Sequence, residues 1–217
     1  MIHHIFQCIF PAKCLLCEKV LGKDETDLCR QCRVDAPETT KSKIKFSFVA
    51  RYAAVWYYKD KVRSSILRYK FLRHRGHAVG YARILAMKIQ REEMDDFQLL
   101  TWVPVSRRRN YRRGFDQVEL LVRHLGRELG VKPVSTLKKI RHTQPQSTLA
   151  DAAHRRANVL GAYKVIDPQL VQGKRILLID DVLTTGATAS ECAKTLLLAG
   201  AAEVSVATLA VALHDKK

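Results

Sequence analysis

Three stretches of this chain carry side chains whose types and spacing can do chemistry. In the stretch Asp180-Asp181-Val182-Leu183-Thr184-Thr185-Gly186-Ala187-Thr188, two carboxylates precede a hydroxyl-rich turn. Thr184, Thr185, Gly186, Ala187 and Thr188 are suited to wrap an anion. The glycine permits close backbone approach, the amides converge at a helix N-terminus, and three threonine hydroxyls add donors. The carboxylates of Asp180 and Asp181 would repel a phosphate but suit the hydroxyls of a sugar, or a nearby magnesium ion. A ribose 5-phosphate satisfies both halves. The plainer use of the same residues is a strand-to-helix turn with N-caps.

The second stretch holds two CxxC knuckles, Cys14-Leu15-Leu16-Cys17 and Cys29-Arg30-Gln31-Cys32. Four thiolates at this spacing can close a tetrahedral zinc site. A redox pair or disulfides are the other uses of such a pattern; the paired knuckles favour metal, since a segment this small buries little and needs metal binding to fold. Cys192 falls on the apolar face of an expected helix and reads as core, while Cys8 stands apart.

The third stretch is basic: Arg107, Arg108, Arg109, Arg112 and Arg113, with Tyr111 and Phe115 among them. Five arginines exceed what one small anion requires, and aromatic rings between them offer stacking surfaces for bases. Such a loop favours single-stranded DNA; the alternative is a solvated basic loop.

These stretches need elements to hold them. The stretch Lys174 to Ile179 has a buried-strand pattern and delivers the acidic pair, and an amphipathic helix from about Thr188 to Ala199 follows, closed by Gly200. Val204 to Val211 is a further strand. Leu99 to Pro104 is a strand feeding the arginine loop, and Asp116 caps a helix whose Val118, Leu121, Val122 and Leu125 share one face before Gly130 ends it. Upstream, Val49 to Tyr58 reads as a strand, Lys61 to Phe71 and Ala78 to Arg91 as helices. A short strand near Val134 to Leu137 and a polar loop from Lys138 to His154 lead to a short helix near Ala152 to Asn158. The second half therefore reads βαβαβ, an α/β fold with a parallel sheet and crossover helices. Residues 1–45 form a loop-rich cysteine module and residues 46–217 the main domain.

The 217 residues allow one good-sized core and a small accessory module, which excludes several large domains. Lys and Arg number 38 against 21 acidic residues, a formal charge of +17 that concentrates polyanions at the surface. No apolar run approaches the roughly 20 residues needed to cross a bilayer. The segment Ile5 to Pro11 lacks the features of a signal peptide. A cytoplasmic location is expected.

The thirteen residues from Ile176 to Thr188 resemble the phosphoribosyl pyrophosphate (PRPP) signature of type I phosphoribosyltransferases. In that resemblance Asp180 and Asp181 hold the ribose hydroxyls and are the catalytic pair. The turn holds the 5-phosphate, and magnesium accompanies PRPP. The resemblance also makes Arg113, Gly114 and Phe115 part of a pyrophosphate loop, and puts a mobile lid near Arg141 to Gln146. The whole chain is similar to the ComF family: a CxxC…CxxC head, an Arg-rich segment ending Arg-Gly-Phe-Asp-Gln at Gln117, a Gln/Thr loop followed by Arg155-Arg156-Ala157-Asn158, and the PRPP motif. It departs from the family in Asp116, where Asn is frequent, and in lacking Pro inside the knuckles. The resemblance implies a late-competence role in natural transformation: binding PRPP and incoming single-stranded DNA, and docking on a DNA-translocation partner through a structural zinc head. The other function in view is a phosphoribosyltransferase acting on a base or amine. Against it stands the lack of a hood for the acceptor, whose place is taken by the cysteine head and the Lys61 to Arg83 helices.

Overall fold

A computed structural model describes residues 11–39, 46–71, 74–105, 115–144 and 152–212. Its elements in chain order are α1 (Arg30–Asp35), β1 (Tyr52–Tyr57), α2 (Asp60–Phe71), α3 (His77–Arg91), β2 (Leu99–Trp102) and α4 (Gln117–Glu128). There follow β3 (Leu137–Lys139), α5 (Ala152–Val159), β4 (Tyr163–Val165), β5 (Arg175–Leu183), α6 (Ala187–Leu198) and β6 (Glu203–Val211).

Four strands make one all-parallel sheet in the order β1-β6-β5-β2. A parallel strand in the middle of such a sheet is covered on both faces, which is why β5 and β6 are apolar almost throughout. Alternate residues serve two different layers. Leu177 and Ile179 of β5 join Val62, Ile66, Tyr81, Leu85 and Leu121 in a core under α2, α3 and α4. Ile176 and Leu178 join Ala189, Cys192, Ala193 and Leu196 of α6 on the other face. Cys192 is fully buried there, as the apolar face of its helix implies.

The four-cysteine head is seated on the first of these layers. Cys14, Leu15, Leu16, Cys29 and Cys32 belong to the same core as Trp56, Tyr69 and Tyr81. Helix α2 grips it: the Ser65 hydroxyl donates to Leu15 O, and the Arg68 guanidinium donates to Leu16 O at 2.7 Å and pairs with Glu18 at 3.3 Å. Helix α3 adds Arg83, whose Nε donates to Asp27 Oδ2 at 2.9 Å.

Asp116 caps α4 as its position implies, accepting from the amides of Val118 at 2.9 Å and Glu119 at 3.0 Å. Beyond shifts of a few residues at element ends, the structure departs from the sequence reading at β5, at β3 and β4, and in the head. Strand β5 does not stop at Ile179 but runs through Leu183, so the acidic pair lies within it. The strand expected near Val134 lies at Leu137–Lys139, and it is not part of the parallel sheet. It pairs antiparallel with β4, which lies beyond the polar loop in a stretch where the sequence reading assigns no element. The head contains α1, a six-residue helix whose N-cap is Cys29 itself.

Candidate functional site

In an open parallel sheet the carboxyl ends of the strands leave a crevice. Here that crevice is a cavity of about 890 Å³. One wall is the motif, Asp180 to Ala189. The others come from α2 (Arg63, Leu67, Lys70, Phe71), the end of β2 (Val103, Pro104, Val105), the start of α4 (Gln117, Val118), and the β3–β4 ribbon with α5 (Lys139, Arg155, Val159, Tyr163). A volume of this size is ample for a sugar phosphate and a second group beside it. The cations Arg63, Lys70, Lys139 and Arg155 make the surround of the motif strongly basic.

Because neighbours on a strand point to opposite faces, the two aspartates do not share an environment. Asp181 is buried and faces the helical layer, where Lys70 Nζ lies 2.8 Å from its Oδ1 and Gln117 Nε2 donates to its Oδ2 at 3.1 Å. Asp180 is half-buried on the other side and accepts the Asp181 amide at 2.8 Å. Burial, and then the neighbouring Asp181 carboxylate, push its pKa well above the ordinary carboxylate range.

The turn has the backbone an anion cradle needs. Gly186 sits at φ +72°, in the left-handed region, as N-cap of α6 with no side chain of its own, and the neighbouring Thr185 hydroxyl accepts the Ala187 amide at 3.4 Å. A β-carbon at 186 would lie 2.2 Å from the Phe46 ring, so the turn is pressed against an aromatic floor. Thr184, Thr185, Gly186, Ala187 and Thr188 all line the cavity.

Lys70 and Gln117 join the site without belonging to any of the chemistry-bearing stretches read from the sequence. Gln117 is the last residue of the Arg-Gly-Phe-Asp-Gln segment and so carried a signal; Lys70 is 111 residues from its partner and carried none. The backbone carbonyl of Gln117 is fixed in turn by the Tyr69 hydroxyl, which donates to it at 2.6 Å. Burial pushes the Tyr69 phenol far up, so it remains a donor.

Arg107, Arg108, Arg109, Arg112, Arg113 and Gly114 lie outside the described residues, as does part of the expected lid. Phe115 is within them. It is half-buried, edge-on to Tyr69 at 6.2 Å between centroids, with the Arg75 guanidinium over its ring at 4.8 Å.

At the head, the ligand atoms of Cys14, Cys17, Cys29 and Cys32 all lie within 4.8 Å of one another. The Cys17 and Cys29 sulfurs are 3.7 Å apart. With metal–sulfur bonds of about 2.3 Å, a tetrahedral thiolate site has edges near 3.8 Å, so these side chains fit a metal ion such as zinc. Burial raises the Cys14 thiol, but the amides of Cys29, Cys17 and Leu16 outweigh it and bring the pKa down to about 7. Burial and the neighbouring thiols push Cys32 up.

A divalent cation at Asp181 is a different matter. Each of its oxygens already has a donor, one of them an ammonium group at contact distance. A metal ion does not fit that carboxylate as it stands.

Residues 112–217 match the phosphoribosyl transferase domain family. The DNA utilization protein YhgH of Escherichia coli O157:H7 is 32% identical over 205 residues, spanning 89% of this chain and 87% of that protein. Competence protein F of Haemophilus influenzae is 36% identical over 110 residues, 50% of this chain and 48% of that one. Among solved structures, the glutamine PRPP amidotransferase of B. subtilis superposes with a TM-score of 0.41 at 22% identity, over 60% of this chain and 25% of that chain. No helix among the described residues is long and apolar enough to cross a membrane.

Proposed function

The chain belongs to the ComF family of competence and DNA-utilization proteins, and from that premise we propose that it handles incoming single-stranded DNA on a scaffold that binds a phosphoribosyl ligand, PRPP or a close relative. The observation that carries the ligand half is the basic cavity of about 890 Å³ walled by Asp180 to Ala189. The Thr184 to Thr188 turn supplies amide and hydroxyl donors for a 5-phosphate, and the aspartates take ribose hydroxyls. Arg113, Gly114 and Phe115 meet the pyrophosphate. The DNA half is supported by the formal charge of +17, by the arginines at 107, 108, 109, 112 and 113, and by the names of the relatives.

Zinc on Cys14, Cys17, Cys29 and Cys32 holds the head together; it takes no part in the chemistry of the cavity. Magnesium, expected alongside PRPP, has no place on Asp181 while Lys70 and Gln117 occupy it.

A transfer of the phosphoribosyl group to a base or amine is the second reading. What favours it is the apolar lining of Phe71, Val159 and Tyr163, which leaves room beside a sugar phosphate for an acceptor.

Calorimetry with PRPP tests the ligand half. The parent binds, and Asp180→Asn/Asp181→Asn protein binds more weakly. Equal affinity in both would move the site elsewhere and leave the motif as a turn.

A further inference from the structure

Resting on the reading of the β5 end as a phosphoribosyl site, we propose that Lys70 is the resident counter-cation of Asp181, so that the sugar end of the ligand binds there without a divalent metal ion.

The Lys70–Asp181 pair is 2.8 Å long and sits with 16% of the lysine side chain and 10% of the aspartate side chain exposed. Lys70 is held in place by its helix. Within one turn of it on α2, Arg68 donates to Leu16 O in the head at 2.7 Å and Tyr69 donates to Gln117 O at 2.6 Å. The ammonium group is therefore a built part of the site, as fixed as the carboxylate it serves. Two cations on one carboxylate oxygen repel strongly where water is scarce. Magnesium in addition demands near-octahedral oxygen ligation, which a carboxylate already engaged on both oxygens by Lys70 and Gln117 supplies poorly.

Gln117 indicates what the site takes instead. The residue is 2% exposed, lines the cavity, and has an Oε1 with no hydrogen-bond partner among the described residues. The amide orientation follows from chemistry, because only its nitrogen can face the Asp181 carboxylate. A buried acceptor left unmade is costly, and a ligand that donates to it recovers that cost. A sugar hydroxyl does so and also accepts from Lys70; a metal ion could take the same amide oxygen but cannot accept from Lys70, whose ammonium group beside Asp181 repels it. The ligand class is thus a phosphorylated polyol whose hydroxyls are read by Asp181, Gln117 and Lys70 together.

Ribose 5-phosphate is the probe, titrated by calorimetry into zinc-loaded full-length protein in buffer freed of divalent ions, and again with magnesium added. No chelator is used, since it would strip the cysteine head. The parent is expected to bind equally in both buffers. Lys70→Met is expected to bind more weakly by a factor on the order of ten without magnesium, about what one charge-assisted hydrogen bond contributes, and to recover part of it when magnesium is added. Lys70→Arg, which keeps the charge, should stay metal-independent. Parent protein that binds only with magnesium, or Lys70→Met protein that behaves as the parent, overturns the role of Lys70 and leaves the phosphoribosyl reading intact. Parent protein that binds ribose 5-phosphate in neither buffer overturns that reading, and this inference with it. Thermal unfolding of Lys70→Met is recorded in parallel; should the variant not fold, the parent and Lys70→Arg titrations decide.

Discussion

A β-carbon built on Gly80 would stand 2.5 Å from Asp27 Oδ1, so helix α3 and the cysteine head meet at a point where only glycine fits. The carboxylate cannot easily retreat, because Arg83 holds both of its oxygens. Leu15 Cδ1, at 2.9 Å from the same position, closes the other side. In an exposed helix, alanine in place of glycine would gain about 1 kcal/mol. Here overpacking, at about 1–3 kcal/mol, opposes that gain. Gly80→Ala is therefore expected to lower stability in urea unfolding. A variant at least as stable as the parent would mean that the head swings clear of α3 at small cost.

Elemental analysis should find one zinc per chain. Cys14→Ser and Cys32→Ser should each lose the ion and loosen the head, since removal of one thiolate opens the tetrahedron. The loss should extend into the main core, where Leu15 and Leu16 pack with Trp56 and Tyr81. Full zinc content in Cys14→Ser protein would refute the four-thiolate site.

The features that could be read in advance are those in which neighbours in sequence are also partners in space. The knuckles, the Asp116 cap and the Thr184 to Thr188 turn are of this kind. The sequence pattern ends β5 at Ile179 because an acidic pair has the character of the start of a loop. Pairing with β6 nevertheless continues to Leu183 opposite Val211, and the open crevice accepts the polar side chains. Strand β4 alternates apolar, polar, apolar, but three residues are too few to establish a period, and its partner β3 is equally short. Lys70 was out of reach for another reason. Its meaning comes entirely from the packing of α2 against the end of β5, a contact that no local pattern encodes.

The stability of the parent should fall in acid partly through His77. Its ring is partly buried, edge-on to Tyr81 at 5.8 Å, and its Nδ1 has no partner among the described residues. Burial, with His74 and Arg68 nearby, lowers its pKa from 6.5 to about 4. The unfolded chain then binds more protons than the folded one between these values. The contribution is complete above pH 6.5 and is lost as pH falls toward 4. At about 1.4 kcal/mol per pH unit this is about 3 kcal/mol as an upper bound, reduced by solvent screening at a partly exposed ring. Acid also protonates the head thiolates, in parent and variant alike, so the difference between the two is the measurement. His77→Phe should show a shallower decline in urea midpoint across this window, and parallel curves would remove His77 from the account.

Gly186→Ala should weaken PRPP binding more than it lowers stability at large. Alanine at φ +72° is strained by about 1 kcal/mol, and its methyl group would meet the Phe46 ring, so the turn must shift and its donors with it. Calorimetry and thermal unfolding on the same sample separate the two effects. Unaltered PRPP affinity would show that the amides of this turn do not hold the ligand.

Single-stranded DNA should bind along the arginines at 107, 108, 109, 112 and 113 with little regard to sequence, because phosphate contacts dominate where cations exceed what one pyrophosphate uses. Each neutralised phosphate releases counterion, so log K should fall linearly with log salt at about 0.7 per contact. Removing two arginines in Arg108→Ala/Arg109→Ala should reduce the slope by roughly 1.4. Phe115 is not expected to add a stacking platform, since Arg75 already covers its ring and Tyr69 its edge. Phe115→Leu should therefore lower thermal stability and leave DNA affinity nearly unchanged. Tyr111→Ala tests the remaining aromatic, whose loss should weaken binding without altering the salt slope. Anisotropy titrations at several salt concentrations read the affinities and slopes, and thermal unfolding reads the stability of Phe115→Leu. No binding at moderate salt, or an unchanged slope in the double arginine variant, would take DNA off this loop and turn the preference toward phosphoribosyl transfer to a small acceptor.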